Sequence, residues 1–216
     1  MRLLKIRNFK KYIYIFLLAV LCLFTCTNEE YQTNIPNADI LEIPIVFHVR
    51  NENDVNYRIP KYWNEMSEPL FQSGRIRPII SEIRFDVPDV EPDIDNKDSR
   101  NKFYKMSKDG RIHIFFVDDI FHSNYGKTIY HGIYKYKSMC NSYIIIQDNS
   151  DEKTIAHEIG HYLGLDHCMD AHNVMNDSMA NGIRNPEAGF TNSQFEFMRK
   201  NIREQQFFCK MPKKAN

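Results

Sequence analysis

Hydrophobic and polar positions divide this chain into short segments of two different periods. Dense β-rich runs at Leu41–Arg50 (LEIPIVFHVR), Ile79–Val87 (IISEIRFDV), Arg111–Val117 (RIHIFFV), Thr128–Lys137 (TIYHGIYKYK) and Tyr143–Gln147 (YIIIQ) read as strands. Between the first two, Lys61–Gln72 places Trp63, Met66, Leu70 and Phe71 at helix-compatible spacing. Pro60 suits the first turn of that helix, Pro69 should shorten or kink it, and Asn51–Ile59 reads as polar loop. Thr154, Ile155 and Ala156 open a further helix behind Asp151 and Glu152, whose charges oppose its dipole. Thr191-Asn192-Ser193-Gln194 is a capping box, and Phe195, Met198 and Ile202 recur at i, i+3 and i+7, so a last helix runs from Asn192 to Phe207. The pattern is that of an α/β (α+β) chain. His48 and His113 fall inside strand runs and read as packed or structural histidines.

The helix that opens at Thr154 carries His157-Glu158-Ile159-Gly160-His161-Tyr162-Leu163-Gly164-Leu165-Asp166-His167. Residues four apart share a helix face, so His157 and His161 can point two imidazoles at one ion, with Glu158 beside it to accept a proton from water. A helix continued past Gly164 would carry His167 away; glycine tolerates the left-handed conformation that ends a helix, so the chain can turn there and return His167 as a third ligand. Three histidines leave one position of a tetrahedral Zn2+ open, the arrangement of a catalytic site rather than a closed structural one.

These residues resemble the metzincin clan of zinc endopeptidases. The clan's second signature, a methionine in a tight turn beneath the metal, is matched by Met175 in Asn173-Val174-Met175-Asn176, with Met179 as the alternative. The short spacing from His167 resembles the matrixin branch, although Cys168 stands where matrixins usually have serine. The resemblance implies a twisted mixed five-stranded sheet with an active-site helix, a methionine turn and a C-terminal helix, in one catalytic domain over residues 41–216. It implies one catalytic zinc held by His157, His161 and His167, Glu158 as general base, and no covalent intermediate. It gives Thr128–Lys137 the role of the antiparallel edge strand that pairs with extended substrate, lined by Tyr130, His131 and Gly132, and gives Ser178–Phe190 the wall of the specificity pocket. Some metzincins place a tyrosine soon after the methionine turn; residues 176–190 contain none, which again resembles the matrixin branch. A bridge between Cys140 and Cys209 would resemble one found in adamalysins. Cys168 adjoins His167 and is not expected to ligate the same ion, but could pair with either of those cysteines.

Charge and the N-terminus place the protein. Met1–Lys11 is basic and Tyr12–Phe24 is an apolar run of 13 residues, shorter than the roughly 20 a spanning helix needs. Residues 1–25 therefore read as a signal peptide. Leu23-Phe24-Thr25-Cys26 resembles a bacterial lipobox with Cys26 acylated, and Thr27-Asn28-Glu29-Glu30 resembles a surface-export signal of Bacteroidetes lipoproteins. Ordinary secretion and an uncleaved anchor are the alternatives. Residues 26–40 read as a lipidated N-terminus and tether, of which Tyr31–Ile40 is too short for an inhibitory prodomain and lacks the blocking cysteine of matrixins. Without the leader, 23 basic residues face 28 acidic ones, which offers no electrostatic case for nucleic acid.

The expected partners are a peptide or protein substrate and, through the anchor, the membrane, with the chain a monomer. Asp89, Glu91, Asp93 and Asp95 alternate as ligands of a structural Ca2+ would, but that stretch lacks the glycine and terminal glutamate of an EF-hand loop and reads as solvated acidic loop. His122 and His131 are either surface residues or ligands of a second Zn2+. The function expected is a zinc metalloendopeptidase outside the cell. The alternatives are a host-directed toxin protease of the fragilysin kind and a surface binding lipoprotein that keeps the zinc site without turnover. Intact Glu158 argues against the last.

Overall fold

The computed structural model describes residues 39–65, 67–89, 92–93, 96–122, 126–127, 132–135, 143–147, 150–151, 153–176 and 185–208. The strands are β1 (Leu41–His48), β2 (Ile76–Arg84), β3 (Ile112–Val117), β4 (Phe121–His122), β5 (Gly126–Lys127), β6 (Gly132–Lys135) and β7 (Tyr143–Gln147). The main sheet has the order β2-β1-β3-β7-β6; its first four strands run parallel and β6 pairs antiparallel with β7. Parallel strands covered on both faces should be apolar throughout rather than alternating, and β3 is buried at every position from Ile112 to Val117.

The two faces carry separate cores. Ile43, Ile45, Phe47, Ile112, Ile114, Phe116, Ile144 and Ile146 join Trp63, Phe71, Ile159, Phe195 and Met198 in the larger one. Phe115, Val117, Tyr143 and Ile145 meet Phe103 in the smaller. Side chains alternate along a strand, so His48 and His113 fall on the second face. Both rings are fully buried there, and His48 stacks on Phe115 at 4.0 Å between centroids.

The helices depart from the sequence reading where their inward faces are charged. The stretch expected as loop over Asn51–Ile59 is instead the start of α1 (Asp54–Glu65), wound with the wide turns of a π-helix and containing Pro60 in its interior. Asn51 opens it, its Oδ1 accepting from the backbone N–H of Asn53 and Asp54 at 2.9 and 3.2 Å. The buried positions are Asp54, Arg58, Ile59 and Trp63. Asp54 and Arg58 form an ion pair of 3.0 Å, and the Arg58 guanidinium lies 4.4 Å from the Phe116 ring centroid. An inward stripe containing an aspartate and an arginine has no hydrophobic period to detect. Pro69 begins a separate one-turn helix, α2 (Pro69–Gln72), which buries Phe71.

α3 (Lys97–Met106) was not expected at all. It follows the acidic loop and is capped by Asn96, whose side chain accepts from the N–H groups of Asp98 and Ser99. Of its ten residues Phe103 is the one buried hydrophobe, too little for a sequence pattern. β2 lies three residues earlier than expected, because Ile76 and Pro78 are the buried residues and Phe85 is 60% exposed. The expected loop Phe121–Lys127 contains the β4–β5 pairing. α4 (Thr154–Tyr162) and α5 (Asn192–Phe208) complete the fold. Among the described residues, no helix is long and apolar enough to cross a membrane.

Candidate metal centre

α4 lies against β6 and β7, and its buried face carries the candidate site. Asp151 prepares its start: its carbonyl accepts from Thr154 N–H at 3.0 Å and its Oδ1 from Lys153 N–H at 2.9 Å. Lys153, 6% exposed, sends its ammonium to the carbonyls of Asn185, Pro186 and Ala188. That contact ties the loop ahead of α5 to the base of the helix.

The helix ends as Gly164 allows. Gly164 has φ +91°. Its N–H donates to His161 O at 3.0 Å, and Leu165 N–H donates to Gly160 O at 2.9 Å. These two reversed bonds are a Schellman motif, with glycine in the left-handed position. The chain therefore doubles back and brings His167 to the first two histidines. Asn201 of α5 secures this turn, donating from Nδ2 to Leu163 O at 2.7 Å. A Cβ at Gly164 would meet the Asn201 amide.

The three Nε2 atoms converge: 3.1 Å between His157 and His161, 2.9 Å between His161 and His167, and 3.3 Å between His157 and His167. His157 Nδ1 lies 2.8 Å from Val174 O and His161 Nδ1 lies 2.7 Å from Leu165 O. A carbonyl only accepts, so in both rings Nδ1 carries the proton and Nε2 a lone pair. Lone pairs aimed at one another repel unless a cation sits among them. Zn–N bonds of about 2.0–2.1 Å in a tetrahedron put ligand nitrogens about 3.3 Å apart, close to these separations. The donor set fits zinc, and the carbonyls supply the outer partners that orient zinc-binding imidazoles. Among the described residues this is the one group of three or more His, Cys, Asp or Glu whose ligand atoms could share an ion.

Below the triad, Asn173–Asn176 form a tight turn closed by Asn176 N–H to Asn173 O at 3.0 Å, with Asn173 Oδ1 accepting from Met175 N–H at 2.8 Å. Met175 is fully buried. Its Sδ occupies the place a Cβ would take at Gly160, so the absence of a side chain there lets the turn press against α4. Cys168, buried beside His167, pairs its N–H with Met175 O at 3.0 Å.

The capping box at the head of α5 is complete: Gln194 N–H donates to Thr191 Oγ1 at 3.3 Å and Thr191 N–H to Gln194 Oε1 at 2.9 Å. Gln194 also exchanges amide bonds with Asn173 at 2.9 and 3.2 Å. One side chain thus caps a helix and braces the methionine turn. The sequence showed the cap; nothing local signalled the brace, the Asn201 contact or the Lys153 clamp, which join positions 21 to 38 residues apart.

Glu158 follows His157 on α4 and is 6% exposed. Gly132 begins β6 and faces Ile146 across the pairing with β7. Tyr130, His131, Cys26, Cys140, Cys209 and Met179 lie outside the described residues, as do Glu91 and Asp95. Asp93 is engaged locally, its Oδ1 and carbonyl both accepting from Asn96 N–H at 3.3 Å.

No protein-family model matches the sequence, and no curated protein matches it. Among solved structures, the fold is similar to that of archaemetzincin from Methanopyrus kandleri, with a TM-score of 0.53 at 13% identity over 78% of this chain and 99% of that one. Metalloproteinase-II from Bacteroides fragilis gives a TM-score of 0.49 at 16% identity, over 77% of this chain and 55% of that one. A zinc-dependent peptidase from Methanocorpusculum labreanum gives 0.36 at 14% identity, over 74% and 99%. The chain spans about half the length of the Bacteroides fragilis protein it matches. At this identity the archaemetzincin likeness is one of fold.

Proposed function

We propose that this protein is a zinc-dependent endopeptidase of the metzincin kind. The observation that carries the reading is the convergence of three imidazole lone pairs, two of them fixed in that tautomer by backbone carbonyls. Zinc, when bound there, supplies Lewis acidity toward water and the scissile carbonyl. Glu158, one residue on from His157, accepts the proton of the attacking water and returns it to the leaving amine. No side-chain nucleophile is needed, so no covalent intermediate forms. β6 bonds to β7 along one edge and lies beside α4, which supports main-chain pairing of an extended substrate along its other edge. The protein acts outside the cell, held to the membrane through acylated Cys26.

The test is cleavage of a mixed peptide library by the purified chain, with and without chelator, beside Glu158→Ala. Chelator-sensitive cleavage that falls about 10²- to 10⁴-fold in a variant still holding one zinc is the expected result. A folded, zinc-loaded wild type that cuts nothing in the library overturns the reading.

A further inference from the structure

On the face of the sheet opposite α4, four side chains form a line. Asp86 Oδ1 lies 2.6 Å from His48 Nδ1, His48 Nε2 lies 2.8 Å from His113 Nδ1, and His113 Nε2 lies 2.7 Å from Asp109 Oδ1. Both rings are fully buried, while the carboxylates at the two ends are 42% and 38% exposed. Each of the three contacts is of hydrogen-bond length and each needs a proton. Two neutral imidazoles between two carboxylates carry only two. Whichever way those are arranged, two lone pairs would face each other at one contact, an arrangement costly away from water.

We propose that Asp86, His48, His113 and Asp109 form a proton-binding clasp that holds three protons in its native state, one more than two neutral histidines supply. The extra proton is shared along the line and joins the loop after β2 to the turn before β3. Burial opposes charge on both rings, lowering His48 to about 4 and His113 below its ordinary value, so a fourth proton has no place in it and the third is held against that burial by the three contacts and the two end carboxylates.

Charged groups act on the shared proton from several sides. Asp86 and Asp109 attract it from the ends. Arg84 at the end of β2 and Arg111 before β3 repel it, but both are paired with Glu82, at 2.7 and 2.9 Å, and Arg111 also with Asp109 at 2.6 Å. From the α3 side the cover is apolar, Phe115 stacking on His48 and Phe103 packing edge-on against Phe115.

The pH dependence follows from proton counts. In the unfolded chain each ring titrates on its own near 6.5. Below that pH the unfolded rings bind up to four protons against three in the native clasp, so stability falls with acid. Above it they bind two against three, so stability falls again as pH rises through the native pKa of the shared proton.

Nitrogen-15 NMR of the full chain, labelled in histidine and loaded with zinc, tests the count directly. The expected spectrum near pH 6.5 shows His48 Nδ1 and His113 Nε2 protonated, with the two inner nitrogens sharing one proton at intermediate shifts. Asp86→Asn and Asp109→Asn, both changes at exposed ends, should each lower the pH at which the shared proton leaves by about one unit or more. Inner nitrogens without a proton at every pH where the chain is folded overturn the proposal. So does an unchanged titration in both variants.

Discussion

Two histidine clusters lie on opposite faces of one sheet, and they differ in what the second nitrogen of each ring does. In the triad on the α4 face, His157 and His161 donate to backbone carbonyls, leaving lone pairs that point at a common centre. In the pair on the α3 face, the outer nitrogens meet carboxylates and the inner ones meet each other. Lone pairs converging on a point from three directions call for a metal; two facing along a line call for a proton. The imidazole is the same in both, and its hydrogen-bond partner decides which cation it holds.

The largest expected difference between the clusters is their response to zinc. His161→Ala should abolish zinc-dependent stabilisation, worth about 2.7 kcal/mol when free zinc is 100-fold above Kd. Asp86→Asn should leave it intact. Thermal melts of both variants with and without zinc provide the check.

Next in size is the packing beneath the triad. Gly160→Leu forces Met175 from its place against α4 and should cost about 1–3 kcal/mol in a urea titration, with weaker zinc binding. The shared titration of His48 and His113, on the other face, should not move. Gln194→Ala removes the Gln194 half of the α5 capping box and the brace on Asn173, for about 1–2 kcal/mol.

The pH dependence sharpens the contrast from the other side. Burial lowers His48 to about 4, so the unfolded chain takes up more protons than the native one in acid. Stability should then fall as pH drops below 6.5, by up to about 1.4 kcal/mol per pH unit for one proton. The smallest effect is expected from Asn201→Ala, about 0.5–1.5 kcal/mol, since it removes one bond at the end of α4.

Local chemistry was legible wherever it acts over a few residues. Gly164 follows a helical stripe and precedes His167, and the left-handed turn it permits is the one the backbone takes. The Thr191–Gln194 box reads directly from its spacing and forms both of its bonds. The first half of α1 was illegible because Asp54 and Arg58 lie on its buried side, where pairing and the Phe116 ring replace apolar burial. α3 was illegible because a single phenylalanine anchors it.

By itself, then, the sequence determined a helix with two histidines on one face, a glycine that turns the chain back and a third histidine beyond it, since each depends on φ/ψ preference and on spacing along one helix. Only the tertiary structure decided the tautomers of His157 and His161, the seat of Met175 against Gly160, and the meeting of His48 with His113. Apart from the His161 tautomer, set by Leu165 O four residues on where the chain turns back, those depend on which carbonyls, helices and strands arrive from 15 residues or more away, through contacts that leave no periodic trace in the chain.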